Sequence, residues 1–175
     1  MNIAKLLWPV VSVLFIHSGL YGQSNNEKIR AIRQEFQKIN GDSLLQSFTL
    51  DDPEDFLGHA TDGGGELTGY FRKDSICKIV IALGLSYGEI ADEYYFRNSR
   101  LIFVYETEKH FPYDDSSGIN HEKLNLAFQG RYYFDKNKLI SKIEKGSRRF
   151  GDKKDPQLFL AEAAEYRKLL RSRRK

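Results

Sequence analysis

The sequence has little sulfur. Its 175 residues include one cysteine, Cys77, and one methionine. A single cysteine excludes a disulfide within the chain, so the fold must depend on its hydrophobic core. Cys77 lies in an apolar run, where a buried and unreactive thiol is the expected state.

Long apolar runs are also lacking. The apolar stretch at residues 6–16 contains Pro9 and is shorter than the roughly 20 residues that a membrane-spanning helix needs. Lys5 precedes it and small or polar residues follow it, which is the pattern of a signal peptide. We expect a signal peptide at residues 1–22, with an uncleaved anchor as the alternative. No cysteine lies near the predicted cleavage site, so we expect an exported protein, periplasmic or secreted, that is not lipid-anchored.

Charge of each sign is unevenly distributed. Residues 23–135 contain 12 Lys and Arg against 19 Asp and Glu, whereas residues 136–175 contain 14 against 5. The basic C-terminus can contact an anionic surface electrostatically, and a solvated basic tail is the simpler interpretation. Because we expect export, we expect no nucleic acid partner.

Two segments have the periodicity of amphipathic helices. The first stripe consists of Ile29, Ile32, Phe36 and Ile39. With a Ser-x-x-Glu capping box at Ser24, it predicts a helix at residues 25–40. The second stripe consists of Phe159, Ala163, Tyr166 and Leu170. With Asp155 as N-cap, it predicts a helix at about residues 156–171.

Between these helices one pattern occurs three times: Tyr-Phe, four polar residues and an aliphatic residue. The copies begin at Tyr70, Tyr95 and Tyr133. They predict β-hairpins whose turns centre on Lys73-Asp74, Asn98-Ser99 and Lys136-Asn137. We therefore predict an α+β fold in a single domain of residues 23–175. It is an antiparallel β-meander of six to seven strands, at about residues 44–145, with one N-terminal and one C-terminal helix.

Strict side-chain alternation makes both faces of this sheet apolar. One face collects Phe71, Ile76, Phe96, Leu101, Phe103, Leu124, Leu126, Phe128, Tyr132, Phe134, Leu139 and Ile143. The other collects Tyr70, Cys77, Ile79, Ile81, Tyr95, Ile102, Val104, Tyr133 and Ile140. One helix on each face closes a three-layer domain. Both helices on one face leave the tyrosine-bearing face open for a partner.

The candidate binding residues belong to that tyrosine-bearing face and to a glycine-rich loop. They are Tyr70, Tyr95, Tyr133, Asp62, Gly64 and Glu66. The glycines let backbone amides approach a ligand, but the Lys and Ser or Thr of a phosphate-binding loop are missing. A flexible entry into a strand is the alternative interpretation of the loop.

Patterns for metal binding and catalysis are weak. Residues 106–122 form a predicted polar loop with oxygen ligands but without EF-hand spacing. His59, His110 and His121 have no short ligand spacing. No nucleophile occurs in a recognised motif. We expect no cofactor, no metal and no catalytic residues, and the acidic loops at 51–66 and 106–122 are the basis of a hydrolase alternative.

The hairpin segments resemble a known pattern. The residues concerned are Gly64-Gly65-Glu66-Leu67, Gly69-Tyr70-Phe71, Lys78-Ile79, Glu93-Tyr94-Tyr95-Phe96, Leu101-Ile102-Phe103-Val104, Arg131-Tyr132-Tyr133-Phe134 and Lys138-Leu139-Ile140. Residues 62–145 resemble small exported bacterial proteins of unknown function and, more distantly, variant MORN-type hairpin repeats, which are shorter and more regular. The resemblance implies hairpin geometry and identifies no functional residue.

Together these features favour an exported, non-catalytic binding or interaction domain of the cell envelope. Its partner is expected to be an envelope protein or a glycan. A hydrolase acting on envelope material is the alternative, and a purely structural envelope component is a third possibility.

Overall fold

A computed structural model describes residues 18–116, 118–151 and 154–174. Most of the predicted signal peptide lies outside these ranges, and its last five residues are helical backbone. Within the described ranges, no helix combines the length and the apolarity that a membrane crossing requires.

The chain forms a seven-stranded antiparallel sheet with a helix on each face. The elements in chain order are α1 (Ser18–Asn40), β1 (Gln46–Leu50), α2 (Pro53–Leu57), β2 (Gly65–Arg72), β3 (Ser75–Leu85), β4 (Gly88–Arg97), β5 (Arg100–His110), β6 (Tyr113–Asp114), β7 (Gly118–Ile119), β8 (Asn125–Asp135), β9 (Lys138–Gly146) and α3 (Leu158–Arg173). The strand order is β1-β2-β3-β4-β5-β8-β9, and β6 pairs with β7 separately. The predicted α+β meander with a helix at each end is confirmed.

The three predicted hairpins are present, and each contains a bulge. The turn residues Asn98 and Ser99 have φ values of 50° and 62°, as a tight hairpin turn requires. In each hairpin the Phe pairs with the aliphatic residue, while the Tyr before it pairs two positions further along the next strand. One residue per hairpin is therefore left without a cross-strand partner. These bulged residues are Cys77, Ile102 and Ile140.

Each bulge reverses the alternation of the strand that follows it, because it adds one residue. Ile79, Ile81 and Val104 accordingly belong to the core beneath α3, and Phe103 belongs to the core beneath α1. Strict alternation assigned these four residues to the wrong faces. Three further residues that were assigned to an apolar face, Leu124, Leu126 and Ile143, are exposed.

The first helix covers the face that carries the tyrosines. The Phe36 ring lies 4.8 Å from the ring of Tyr95 and 5.4 Å from that of Phe103, measured between centroids. Helix α1 is already helical at Ser18, where the described residues start, seven residues before the predicted start. Residues 18–23 contain no proline that would stop a helix, so Ser24 lies inside the helix and is not its cap.

The last helix covers the opposite face through Phe159, Ala163 and Leu170, which are buried as its stripe predicts. It begins two residues later than expected. The Asp155 side chain accepts a hydrogen bond from the amide of Gln157 at 2.9 Å and forms a turn ahead of the helix. With one helix on each face, the closed three-layer arrangement is present.

The segment between β1 and β2 differs from its predicted form. Strand β1 begins two residues after the expected Leu44, and the acidic loop contains a short helix, α2. The Asp52 carboxylate accepts a hydrogen bond from the amide of Glu54 at 3.0 Å and caps this helix.

Part of the uneven charge is paired within the molecule. Arg173 forms an ion pair with Asp55 at 2.9 Å, and the Arg174 guanidinium donates a hydrogen bond to the carbonyl of Lys73 at 3.0 Å. Further pairs join the basic segment before α3 to acidic residues of the sheet. The positive charge of residues 136–175 is therefore only partly available to an outside surface.

Candidate functional site

A row of acidic side chains crosses the sheet on the face beneath α3. The strand register places Asp92 directly opposite Glu106, and Gly130 and Glu144 continue the row on β8 and β9. Asp92 and Glu106 are both 6% exposed, and nearby Glu108 is 4% exposed. Buried carboxylates are costly unless paired, so this row depends on partners from outside the strands.

The partner of Glu106 is Arg148, in the segment that follows β9. Its Nε and Nη2 atoms donate hydrogen bonds of 3.1 and 2.7 Å to the two carboxylate oxygens, in a forked arrangement. The guanidinium also lies 3.8 Å from the centroid of the Phe128 ring. Burial disfavours the charge on Arg148, but its bonds to Glu106 raise its pKa overall, so it stays a cation.

The hydroxyl of Tyr132 lies between two members of the row. It is 2.9 Å from an oxygen of Glu106 and 2.9 Å from an oxygen of Glu144, and it accepts a hydrogen bond from Arg148. Its ring lies over Gly130, where a Cβ atom would come within 2.6 Å of ring atoms. The glycine therefore leaves the space that this tyrosine needs.

Asp92 is less completely paired. Its Oδ2 atom accepts a long hydrogen bond of 3.3 Å from Lys154, whose ammonium also binds Glu162 on α3 at 3.0 Å. The hydroxyl of Tyr94 donates to the same Glu162 at 2.7 Å. The Oδ1 atom of Asp92 is buried and has no hydrogen-bond partner among the described residues.

The environment of Asp92 disfavours its charged form. Its pKa is raised to about 6, chiefly by burial. Lys154 lowers this pKa, whereas the neighbouring carboxylates of Glu106 and Glu162 contribute to raising it. A buried polar atom without a partner costs roughly 1–3 kcal/mol of folding stability. Asp92 thus destabilises the fold, as residues of functional sites often do.

A cleft of about 470 Å³ opens beside this network. Its apolar wall consists of Leu57, Ile81, Leu83 and Ile90. Its polar wall consists of Asp92, Glu106, Glu108, Arg148, Lys154, Glu162 and Tyr166. The volume lies within the roughly 300–1,000 Å³ that is usual for small-molecule sites, which also combine apolar walls with a few polar groups.

The predicted tyrosines lie on the other face, away from this cleft. Tyr95 and Tyr133 are 0% and 2% exposed beneath α1, and Tyr70 is half-buried. The Tyr95 hydroxyl donates to Asn40 at 3.1 Å, and that of Tyr133 accepts from Arg33 at 3.3 Å. The tyrosine-bearing face is therefore not open to a partner, because α1 packs on it.

Tyr133 does line a second cleft, of about 380 Å³, between α1 and the sheet. The guanidinium of Arg33 stands over its ring at 5.6 Å, and that of Arg131 over the Tyr105 ring at 5.2 Å. This cleft is aromatic and basic, and its guanidinium groups already stack on rings.

The glycine-rich loop has a structural role in this fold. The amide of Gly63 donates to the carbonyl of Gly84 at 3.0 Å, and the amide of Gly84 donates to Gly64 at 2.9 Å. Gly64 has a φ of 72°, and a Cβ on Gly63 would meet the Gly84 carbonyl carbon at 2.7 Å. These contacts favour the strand-entry interpretation. Asp62 and Glu66 are exposed, and Gly65 pairs with Leu83 at the edge of the cleft.

The three histidines considered as metal ligands make separate contacts. His110 lies 2.6 Å from Glu108, the His121 ring contacts Phe111 at 4.7 Å, and His59 bonds the carbonyl of Leu57. In the part of the chain that the structure describes, no group of three or more His, Cys, Asp or Glu could hold a metal ion.

Sequence reasoning missed the cleft residues Asp92, Arg148 and Lys154, and it included Glu106 only as part of a polar loop. A signal was present, because Asp92 occupies an alternating position between Ile90 and Tyr94, on the face of β4 whose other side chains are apolar. The predicted polar loop at 106–122 concealed Glu106, which lies within β5.

Comparison with known proteins gives no guide to this site. No protein-family model matches the chain, and neither a curated protein nor a solved structure matches it. The resemblance of the hairpins stays a prediction, and the chemistry of the cleft has to be inferred from its own residues.

Proposed function

We propose that this chain is an exported, non-catalytic binding domain of the cell envelope and that its ligand site is the cleft beside Asp92. One observation carries the proposal: the buried Oδ1 atom of Asp92 has no partner within the described residues and belongs to a side chain that lines this cleft. A ligand that donates a hydrogen bond would satisfy that atom.

Fold stability alone does not explain Asp92. Replacing buried charged groups with well-packed apolar residues is often neutral or stabilising. Its neighbours Ile81 and Tyr94 show that this face readily accommodates apolar side chains. A charged group that weakens the fold at the wall of a cleft is a candidate binding group.

A hydrolase is the second candidate, and the raised pKa of Asp92, about 6, favours it. A carboxyl group with such a pKa can act as a general acid or base near neutral pH. The cleft offers little else for catalysis. None of its described lining residues is Ser, Thr or Cys, and Glu106 is held by the forked bonds of Arg148. Binding is therefore the better-supported function.

The export part of the proposal is supported by the signal-peptide pattern of residues 1–22. Its test is fractionation of the native host expressing the full chain with a C-terminal tag. A shortened protein in the periplasm or medium supports export. A full-length protein in the cytoplasm contradicts it.

The binding part is tested by screening a fragment library of mixed charge against the ¹⁵N-labelled domain by NMR. We expect hits that shift the amide signals around Ile90, Asp92 and Glu106. Hits confined to the second cleft, or no hits at all, would contradict the proposed site.

A panel of glycosidic, ester and peptide substrates tests the hydrolase candidate, and turnover that is lost in Asp92→Asn would favour the enzyme over the binding domain.

A further inference from the structure

We infer that the ligand of the cleft is a small organic cation, an ammonium group that carries a short aliphatic chain. The inference rests on the proposed binding function of the cleft and adds the chemical class of the ligand. It comes from the charge balance of the polar wall, the unpartnered oxygen of Asp92 and the apolar wall opposite.

The charge balance favours a cation. Among the described residues that line the cleft, four carry carboxylates and two carry basic side chains. The carboxylates are Asp92, Glu106, Glu108 and Glu162, and the basic residues are Arg148 and Lys154. Arg148 forms an ion pair with Glu106, and Lys154 is shared between Asp92 and Glu162. The wall therefore has an excess of negative charge, which a bound cation would reduce and a bound anion would increase.

The unpartnered oxygen indicates where the cation's head group binds. Lys154 approaches Asp92 through Oδ2, at 3.3 Å, and leaves Oδ1 without a donor among the described residues. An ammonium group supplies up to three N–H donors, and hydrogen bonds to a charged acceptor are stronger than neutral ones. One donor to Oδ1 would complete the pairing of this carboxylate.

The apolar wall of the cleft determines which chemical group carries the ammonium. Leu57, Ile81 and Leu83 line it and can cover an aliphatic chain. A bare metal ion would gain nothing from this wall and would need several oxygen ligands. A sugar would leave most of its hydroxyl groups facing aliphatic side chains. An alkylammonium group matches both walls.

The test compares three ligands of equal chain length but different charge: n-hexylamine, n-hexanol and hexanoate. Binding of each to the folded domain is measured at about neutral pH by NMR titration of the amides around Asp92. We expect hexylammonium to bind at least about tenfold more tightly than hexanol, and hexanoate to bind more weakly than hexanol.

Two variants make the comparison specific. Asp92→Asn replaces a carboxylate inside the cleft with a neutral side chain of similar shape, and Glu27→Gln does the same to an exposed carboxylate on α1, outside the cleft. We expect Asp92→Asn to reduce the preference for hexylammonium over hexanol at least about tenfold, and Glu27→Gln to leave it unchanged.

The outcomes separate this inference from the proposed function. If hexanol binds in the cleft as tightly as hexylammonium, or if Asp92→Asn keeps the preference, the cation inference is overturned while binding in the cleft stands. If fragments from the screen bind there but hexylammonium does not, the inference is likewise overturned. If neither the fragments nor these three ligands shift the cleft signals, the proposed function fails with it.

Discussion

Asp92 and Glu106 face each other directly across β4 and β5 on a buried surface of the sheet. Like charges in this position destabilise a strand pair. Their cations, Lys154 and Arg148, both come from the segment between β9 and α3. Strands β4 and β5 therefore supply facing carboxylates to the cleft, and the segment between β9 and α3 supplies the cations that pair with them.

The first prediction concerns the pH dependence of stability at Asp92. Its pKa is raised from 3.8 to about 6, so the folded state holds this proton more tightly than the unfolded state. The stability associated with the protonated carboxyl is fully present below about pH 4 and is lost as the pH rises through about 6. Two pKa units set an upper bound of about 3 kcal/mol for this loss.

Asp92→Asn removes this titration. We expect the variant to be more stable than the natural protein by about 1–3 kcal/mol at pH near 7.5, with the difference disappearing toward about pH 4. Urea unfolding of both proteins at several pH values measures this difference in stability. A variant that is less stable at neutral pH would show that the ion pair with Lys154 contributes more than the buried charge costs.

The second prediction concerns the Arg148–Glu106 pair. Arg148→Met leaves a buried carboxylate without its cation, and we expect a loss of about 3–5 kcal/mol in the free energy of unfolding. Adding Glu106→Gln should restore a large part of that loss. Lys142→Met is the control, since it removes an exposed pair with Glu144, and should cost less than about 1 kcal/mol. If Arg148→Met and Lys142→Met destabilise the protein equally, Arg148 is not the cation that stabilises the buried Glu106 carboxylate.

The third prediction concerns the glycine beneath the tyrosine ring. Gly130→Ala introduces a Cβ atom where the Tyr132 ring lies, and we expect a loss of roughly 1–3 kcal/mol because the ring must move. In a Tyr132→Ala background the same change should have little effect. A double-mutant cycle measures this coupling, and additive losses would show that the ring and the glycine are independent.

The fourth prediction compares two tyrosines of the face beneath α1. Tyr95→Asp places a carboxylate among Phe36 and Phe103, and we expect at least about 4 kcal/mol of destabilisation or failure to fold. Tyr70→Asp changes a half-buried ring and should cost less than about 2 kcal/mol. Thermal unfolding of both variants checks whether α1 covers Tyr95. A well-folded Tyr95→Asp protein would argue that this face is open.

The sequence predicts the local elements well because their signals are local. The Tyr-Phe hairpins, their turn residues and the two helix stripes each depend on neighbouring residues. The face of the sheet on which Ile79 and Phe103 lie could not be predicted by alternation along the strand. A bulge shifts that alternation by one residue and leaves no clear mark in the sequence. The position of the apolar residues was thus predicted more reliably than their orientation.

The candidate site could not be predicted for a related reason. Asp92 and Lys154 are 62 positions apart, and only the stacking of β4 against the segment before α3 brings them together. The basic residues near the C-terminus suggested contact with an outside anionic surface. Several of them instead neutralise the sheet's own carboxylates, which sequence position alone does not reveal.

The most direct measurement follows the Asp92 carboxyl itself by ¹³C NMR during a pH titration, with and without saturating n-hexylamine. Its surroundings include Tyr94 on β4, Glu106 on β5, Glu162 on α3 and Lys154. The free protein should titrate at about pH 6. A bound ammonium favours the ionised carboxylate, so the ligand should lower this pKa and its affinity should fall below about pH 6. A carboxyl that titrates near its ordinary value, or one whose pKa the amine leaves unchanged, would contradict the account.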